Sequence, residues 1–197
     1  MKTSKIVMLS LGALLLIIAM NGCSRYNSMS YAEEDVDEAW GQVENVYQRR
    51  ADLIPQLVST VQGYIGHENK TLIGVVEARA KATAITIDPS KSSPEQLAAY
   101  SNAQGDLTNA LGKLMMITES YPDLKASDMF LSLQADISGS ENRISTERKK
   151  FNKTVKDYNK KLLGAVGKFW SSRFGFEKRS YFESAAGSNV APTIKFD

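Results

Sequence analysis

The 197-residue chain has one cysteine, one histidine and no stretch in which polar and apolar residues alternate. Each shortage closes a class of answers. A lone cysteine leaves no disulfide within the chain, and a single histidine beside it leaves too few ligands for a structural zinc site. Without a period of two there is no half-buried strand. Net charge is nearly absent as well. It is +2 overall, and once Lys2 and Lys5 are set aside the balance from position 23 onward is 22 basic against 22 acidic residues. A neutral body argues against nucleic acid as a partner, because phosphate binding takes a basic face. No HExxH and no phosphate-binding glycine loop occurs. His67-Glu68 is the one tempting pair, but Tyr64 stands three residues before His67. The Glu-x-x-His element of di-metal bundles is therefore missing. No catalytic residue, metal or cofactor is expected.

What the chain has begins at its N-terminus, "MKTSKIVMLSLGALLLIIAMNGC". Two lysines precede an apolar run of 15 residues, 6–20. A membrane-spanning helix takes about 20 apolar residues, so the run fits the core of a secretory signal better. Asn21-Gly22-Cys23 resembles the bacterial lipobox, where a peptidase cuts before a cysteine that becomes lipidated. The expected organisation is a lipoprotein signal over 1–22, lipidation at Cys23, a tether over 23–30, a helical bundle over 31–170 and an irregular tail over 171–197. The alternative is an uncleaved anchor helix with Cys23 an ordinary thiol. Either way the body is tethered to a membrane outside the cytoplasm, since lysines before the run stay inside.

From Val36 on, a seven-residue repeat can be followed. One column is Val36, Val43, Arg50, Leu57, Tyr64, Thr71 and Ala78, and its companion is Trp40, Tyr47, Ile54, Val61, Glu68, Val75 and Ala82. Spacings of three and four place both on one helix face. A second segment runs from Leu97 to Tyr121. A third pairs Phe130, Ile137, Ile144, Phe151 and Tyr158 with Gln134, Glu141, Arg148, Val155 and Leu162. The chain is read as all-α. Between the segments, Ser93 is placed to cap a helix opened by Pro94, Pro122 to stop one, and Ser127 to cap the next.

Pro55 falls inside the first segment without shifting its phase, and Ile54 would be a poor cap for a new helix. The spacing predicts a helix that continues through Pro55 with a kink. The ring removes a backbone donor and leaves the carbonyl of Ala51 without its helical mate. Arg49, Arg50, Asp52 and Pro55 together make a polar notch, the candidate partner-binding site. Arg50, Glu68, Gln104, Gln134, Glu141 and Arg148 occupy seam positions where apolar knobs pack best. A register-fixing contact in the core is the first account of them. The others are a polar groove for a partner, or drift to the solvated edge.

"AWGQVENVYQRRADLIPQLVSTVQGYIGHENKTL" from Ala39, "EARAKA" from Glu77, "YPDLKAS" from Tyr121 and "YNKKL" from Tyr158 resemble the LemA family. Together with "YNSM" at Tyr26, the likeness covers about residues 26–182. It implies a bacterial, membrane-anchored, antiparallel up-and-down four-helix bundle, and it supplies no catalytic residues. The family's usual anchor is an uncleaved helix, from which Cys23 departs. A fourth helix requires a break within 31–86, and "QGYIGHENKTL" offers Gly66 as a stop and Asn69 as a cap.

Residues 31–46 carry six acidic and no basic side chains, and residues 141–179 carry twelve basic and four acidic ones. Either the two regions face each other, or each suits the dipole of its own helix. The stretch 169–183 interleaves aromatic and basic residues, as a lid on the bundle or as a membrane-surface element. The function expected is that of a non-enzymatic envelope protein presenting its bundle to a protein partner. A lipid- or small-ligand-binding bundle and an uncharacterised helical enzyme are the alternatives.

Overall fold

The computed structural model describes residues 2–65 and 70–183, with side chains from residue 5 onward. The helices are α1 (Lys2–Ile65), α2 (Lys70–Ala84), α3 (Pro94–Thr118), α4 (Pro122–Lys125), α5 (Asp128–Leu162) and α6 (Ala165–Phe174), and no strand occurs among the described residues. The all-α expectation holds. The region 31–86 is two helices rather than one bent one. The break lies where it was expected, although Gly66, His67, Glu68 and Asn69 themselves fall outside the described residues.

Local chemistry accounts for the ends. Ser93 Oγ accepts from the Gln96 N–H at 3.2 Å, and Gln96 Oε1 accepts from the Ser93 N–H at 2.9 Å. This reciprocal box, with Pro94 behind it, starts α3. Pro122 does more than stop a helix: its fixed φ opens the single turn of α4. Ser127 precedes α5, and its carbonyl accepts from the Leu131 N–H at 3.0 Å. Gly175 ends α6 in the left-handed conformation, φ 80°, as glycine alone does without strain. Helix therefore reaches Phe174, past the residue-170 edge expected for the bundle.

The chain forms two compact units. The first is Met1–Gln48, Pro89–Lys91 and Ser140–Arg179; the second is Arg49–Asp88, Ser92–Gly139 and the chain from Ser180 on. In the second unit, four helical segments bury one core. Ile54, Leu57 and Val61 of α1 meet Leu72 and Val75 of α2, Leu107 and Leu114 of α3, and Phe130 and Leu133 of α5. Each such side chain contributes about 1.5–3 kcal/mol on burial. In the first unit, α1 and α5 run antiparallel. Trp40 meets Phe151 edge-on at 5.4 Å between ring centroids, and Lys161 Nζ donates to the Ser28 carbonyl at 3.0 Å. Residues 23–30, expected as a tether, are helical, and Met29 is buried because α1 is already packed there.

The seam of α1 is buried as its spacing predicts, from Val36 and Trp40 to Leu57 and Val61, although Tyr64 is exposed. The third segment departs by one residue. Leu133 and Ser140, rather than Gln134 and Glu141, share the buried face with Phe130, Ile137 and Ile144, and Gln134, Glu141 and Arg148 are half-buried at its edge. A 3.6-residue turn allows either column, and the polar one lies nearer water.

Helix α1 continues through Pro55, as the unbroken phase implies. The carbonyl that the proline leaves over, that of Ala51, accepts a hydrogen bond from Arg79 Nε of α2 at 2.7 Å. Arg79 thus replaces the missing backbone donor. Arg79→Ala is expected to cost about 1–3 kcal/mol by orphaning a buried carbonyl. The loss should shrink by at least about 1 kcal/mol in a Pro55→Ala background, where the restored N–H takes the carbonyl. Equilibrium unfolding of the four chains checks this, and additive effects would show that Arg79 does not serve the proline.

Candidate functional site

Of the four notch residues, Arg49, Asp52 and Pro55 are exposed but Arg50 is 1% exposed and turned into the second unit. Its guanidinium donates to Gln104 Oε1 at 2.5 Å, to the Gln104 carbonyl at 3.3 Å and to Thr108 Oγ1 at 2.8 Å. Gln104 Nε2 in turn donates to the carbonyl of Ala82 at 3.2 Å. That carbonyl belongs to the last turn of α2, which has no helical donor of its own. Arg50 and Gln104, two residues taken as seam breaks, thereby join α1, α3 and the end of α2 in one polar chain. Arg50 thus spends its cation inside, and Arg49, Asp52 and Pro55 are the notch residues that face solvent. Burial without such bonds would be costly.

The first unit brings the acidic and basic regions together. An open groove of about 660 Å³ runs between α1 and α5, with Asp35, Glu38 and Gln42 on one wall and Lys150, Lys153 and Lys161 on the other. Opposite charges thus line a surface that solvent reaches. Beside it lies a residue that spacing does not single out. Arg179, 7% exposed, donates from one terminal nitrogen to Glu33 Oε1 at 2.6 Å and from the other to the Pro89 carbonyl at 3.0 Å. Its backbone is held on both sides by Asn159, whose Oδ1 accepts from the Arg179 N–H at 3.0 Å and whose Nδ2 donates to the Arg179 carbonyl at 2.9 Å. The chain after α6 is locked onto α5 and α1 in this way. Arg179 lies in an aperiodic stretch, so only its charge was visible in the sequence.

Tyr158, fully buried under Arg179, donates to the Glu177 carbonyl at 2.8 Å. Burial, with the Glu33 carboxylate adding to it and Arg179 opposing, pushes its hydroxyl up to about 12 from an ordinary value of 10.0. A raised value means that the unfolded chain ionises first. The stability Tyr158 lends is whole below pH 10 and is lost as pH rises through 12. Measured against Tyr158→Phe, the advantage of the native residue should therefore shrink between those limits. A gap that stays constant across that window would contradict the shift.

Among the described residues no cluster of three or more His, Cys, Asp or Glu side chains is arranged to hold a metal ion. Helix α1 includes one stretch long and apolar enough to cross a membrane, and its side chains over residues 6–20 are exposed. The aromatic side chains near the C-terminus collect beside it. Trp170 stacks on Phe174 at 5.3 Å, Tyr26 meets Phe174 edge-on at 5.2 Å, and Trp170 lies over Gly22. A methyl group on Gly22 would come within 2.9 Å of that indole, so glycine there permits the approach. In the sequence Gly22 looked only like the small residue before a cleavage point.

The chain is similar to Protein LemA of Metamycoplasma hominis, 26% identical over 148 residues, which are 75% of this chain and 62% of that protein. It is also similar to Magnetosome protein MamQ of Magnetospirillum gryphiswaldense, 28% identical over 209 residues, 96% of this chain and 75% of the relative. Magnetosome protein MamQ 2 of Paramagnetospirillum magneticum is 26% identical over 81% of this chain and 65% of its own length. The chain thus spans between three fifths and three quarters of these relatives. The model of the LemA family matches residues 39–196, from within α1 to beyond the end of α6, and the chain belongs to that family.

Proposed function

We propose that the protein is a membrane-anchored, non-enzymatic envelope protein that presents its helical bundle outside the cytoplasm to a protein partner. The observation that carries this is the continuity of α1. Exposed apolar residues over 6–20 lead, without a joint, into Met29, Ala32 and Val36, which are core. An apolar surface of that length has no place in water, so it brings the body to a bilayer, and whatever anchor follows it sits at the start of the packed helix. The charged groove of the first unit, open to solvent and carrying both signs, supplies complementarity for a polypeptide rather than for an apolar ligand.

The anchor itself is proposed to be lipid on Cys23, exposed on α1, after removal of residues 1–22. Mass spectrometry of the membrane-extracted protein should then find an acylated N-terminal Cys23. An intact Met1 peptide in most of the population would replace the lipid by the helix as anchor. Recovery of the protein in the soluble fraction would remove both. Crosslinking in the native envelope tests the partner. A protein adduct reaching the groove supports the reading, and a bound small molecule in its stead favours a ligand-binding bundle.

A further inference from the structure

Helix α6 has two unlike faces. Gly167 and Ser171 are buried, and a methyl group on Gly167 would lie 2.5 Å from the Lys161 carbonyl, so this face is pressed onto the end of α5. On the other side Val166 and Phe169 are 53% and 63% exposed, and Leu163, just before the helix, is 54% exposed. Spacings of three make these residues one apolar strip. Around it stand Lys160, Lys161, Lys168 and Arg173, and residues 160–176 contain no acid. The strip is fixed in place by Trp170 on Gly22 and by Phe174 on Tyr26, immediately after the apolar run of α1 ends at residue 20.

We propose that the open face of α6 rests on the bilayer surface beside the anchor, with Leu163, Val166 and Phe169 among the upper acyl chains and its basic residues on anionic lipid headgroups. The inference rests on the anchoring proposed above, and it holds for either anchor. A helix leaving the bilayer after residue 20 puts the headgroups at Gly22, under Trp170, and an acyl group on Cys23 puts them close to Tyr26, which holds Phe174 of α6. Exposed rings and aliphatic side chains flanked by lysine and arginine suit that zone. Lys160 lies 3.9 Å from Asp157 and Lys161 lines the groove with Asp35 and Glu38, so Lys168 and Arg173 are the cations that select an anionic surface over a neutral one. Trp170, Phe174 and Phe176 close the end of the first unit against α1, while Phe169, which meets Trp170 edge-on at 5.1 Å, leaves most of its own ring exposed. The aromatic stretch is therefore both a lid and a footing.

The test uses the full chain reconstituted into vesicles of phosphatidylcholine and phosphatidylglycerol, a fraction of which carry a diazirine high in the acyl chain. Flotation reports anchoring by residues 6–20 or by acylated Cys23. Irradiation and peptide mapping should place lipid adducts on Leu163, Val166 and Phe169. Omitting phosphatidylglycerol, or introducing Lys168→Glu with Arg173→Glu, should lower those adducts about tenfold while flotation is unchanged. A chain that floats but leaves 163–169 unlabelled overturns the α6 proposal alone, as does crosslinking of those residues to a second protein chain. A chain that does not float overturns the anchoring, and the α6 proposal with it.

Discussion

Arg179→Ala is expected to destabilise the first unit by about 3 kcal/mol, among the largest losses any exposed-looking residue of this sequence can produce. The side chain of Arg179 is 5% exposed and lies against Glu33, with Asp37 at 4.0 Å. Removing it takes from the Glu33 carboxylate, 32% exposed, the cation that lies 2.6 Å away. It also leaves the Pro89 carbonyl without its donor. Arg179→Lys should recover little, because one ammonium cannot reach the Pro89 carbonyl and the Glu33 carboxylate in the fork geometry of a guanidinium. Urea unfolding gives the number, and protease sensitivity after α6 gives the location. A loss below about 1 kcal/mol would place the pair among ordinary surface ion pairs.

Arg50→Ala comes next, again at about 3 kcal/mol, since it leaves Gln104 and Thr108 in a cavity without their donor. The informative variant is the double one. Arg50→Met with Gln104→Met replaces the whole polar chain by apolar groups of similar length, and is expected to be near neutral or more stable than the native protein. If the pair exists to fix how α1 and α3 align, the double variant should keep its helicity and melt higher while its amide spectrum broadens into several alignments. Sharp, single resonances would assign the pair to stability alone.

Much of this fold can be read from residues, and the misses have physical causes. The face of α1 that carries Val36, Trp40, Val43 and Tyr47 is legible because four large apolar residues keep one phase for two turns of the repeat. The passage of α1 through Pro55 is legible for the same reason, and so is the Ser93 cap. The third segment is legible in part: Phe130, Ile137, Ile144, Phe151, Tyr158, Val155 and Leu162 are buried as placed, but residues spaced by seven leave two candidate companion columns before Val155. Only tertiary packing selects Leu133 over Gln134. Arg50 was correctly seen on the seam, yet the seam position and the partner notch were competing uses of one side chain, and burial decided for the core. Arg179 and the Gly22–Trp170 approach were invisible. Each joins residues more than a hundred positions apart, and neither has a spacing that announces it.

The division of the first unit along the chain has a consequence for its biosynthesis. Val36, Trp40, Val43 and Tyr47 emerge from the ribosome early, but Phe151, which Trp40 packs against, follows about a hundred residues later. At about 5–20 residues per second that interval is on the order of 5–20 s. The second unit waits less, because α1, α2 and α3 are successive helices whose contacts are local and close before Phe130 and Leu133 of α5 complete the core. The N-terminal half of α1 is therefore a nascent helix with a bare apolar stripe during most of translation, and it needs either a holding chaperone or the nearby bilayer until α5 arrives.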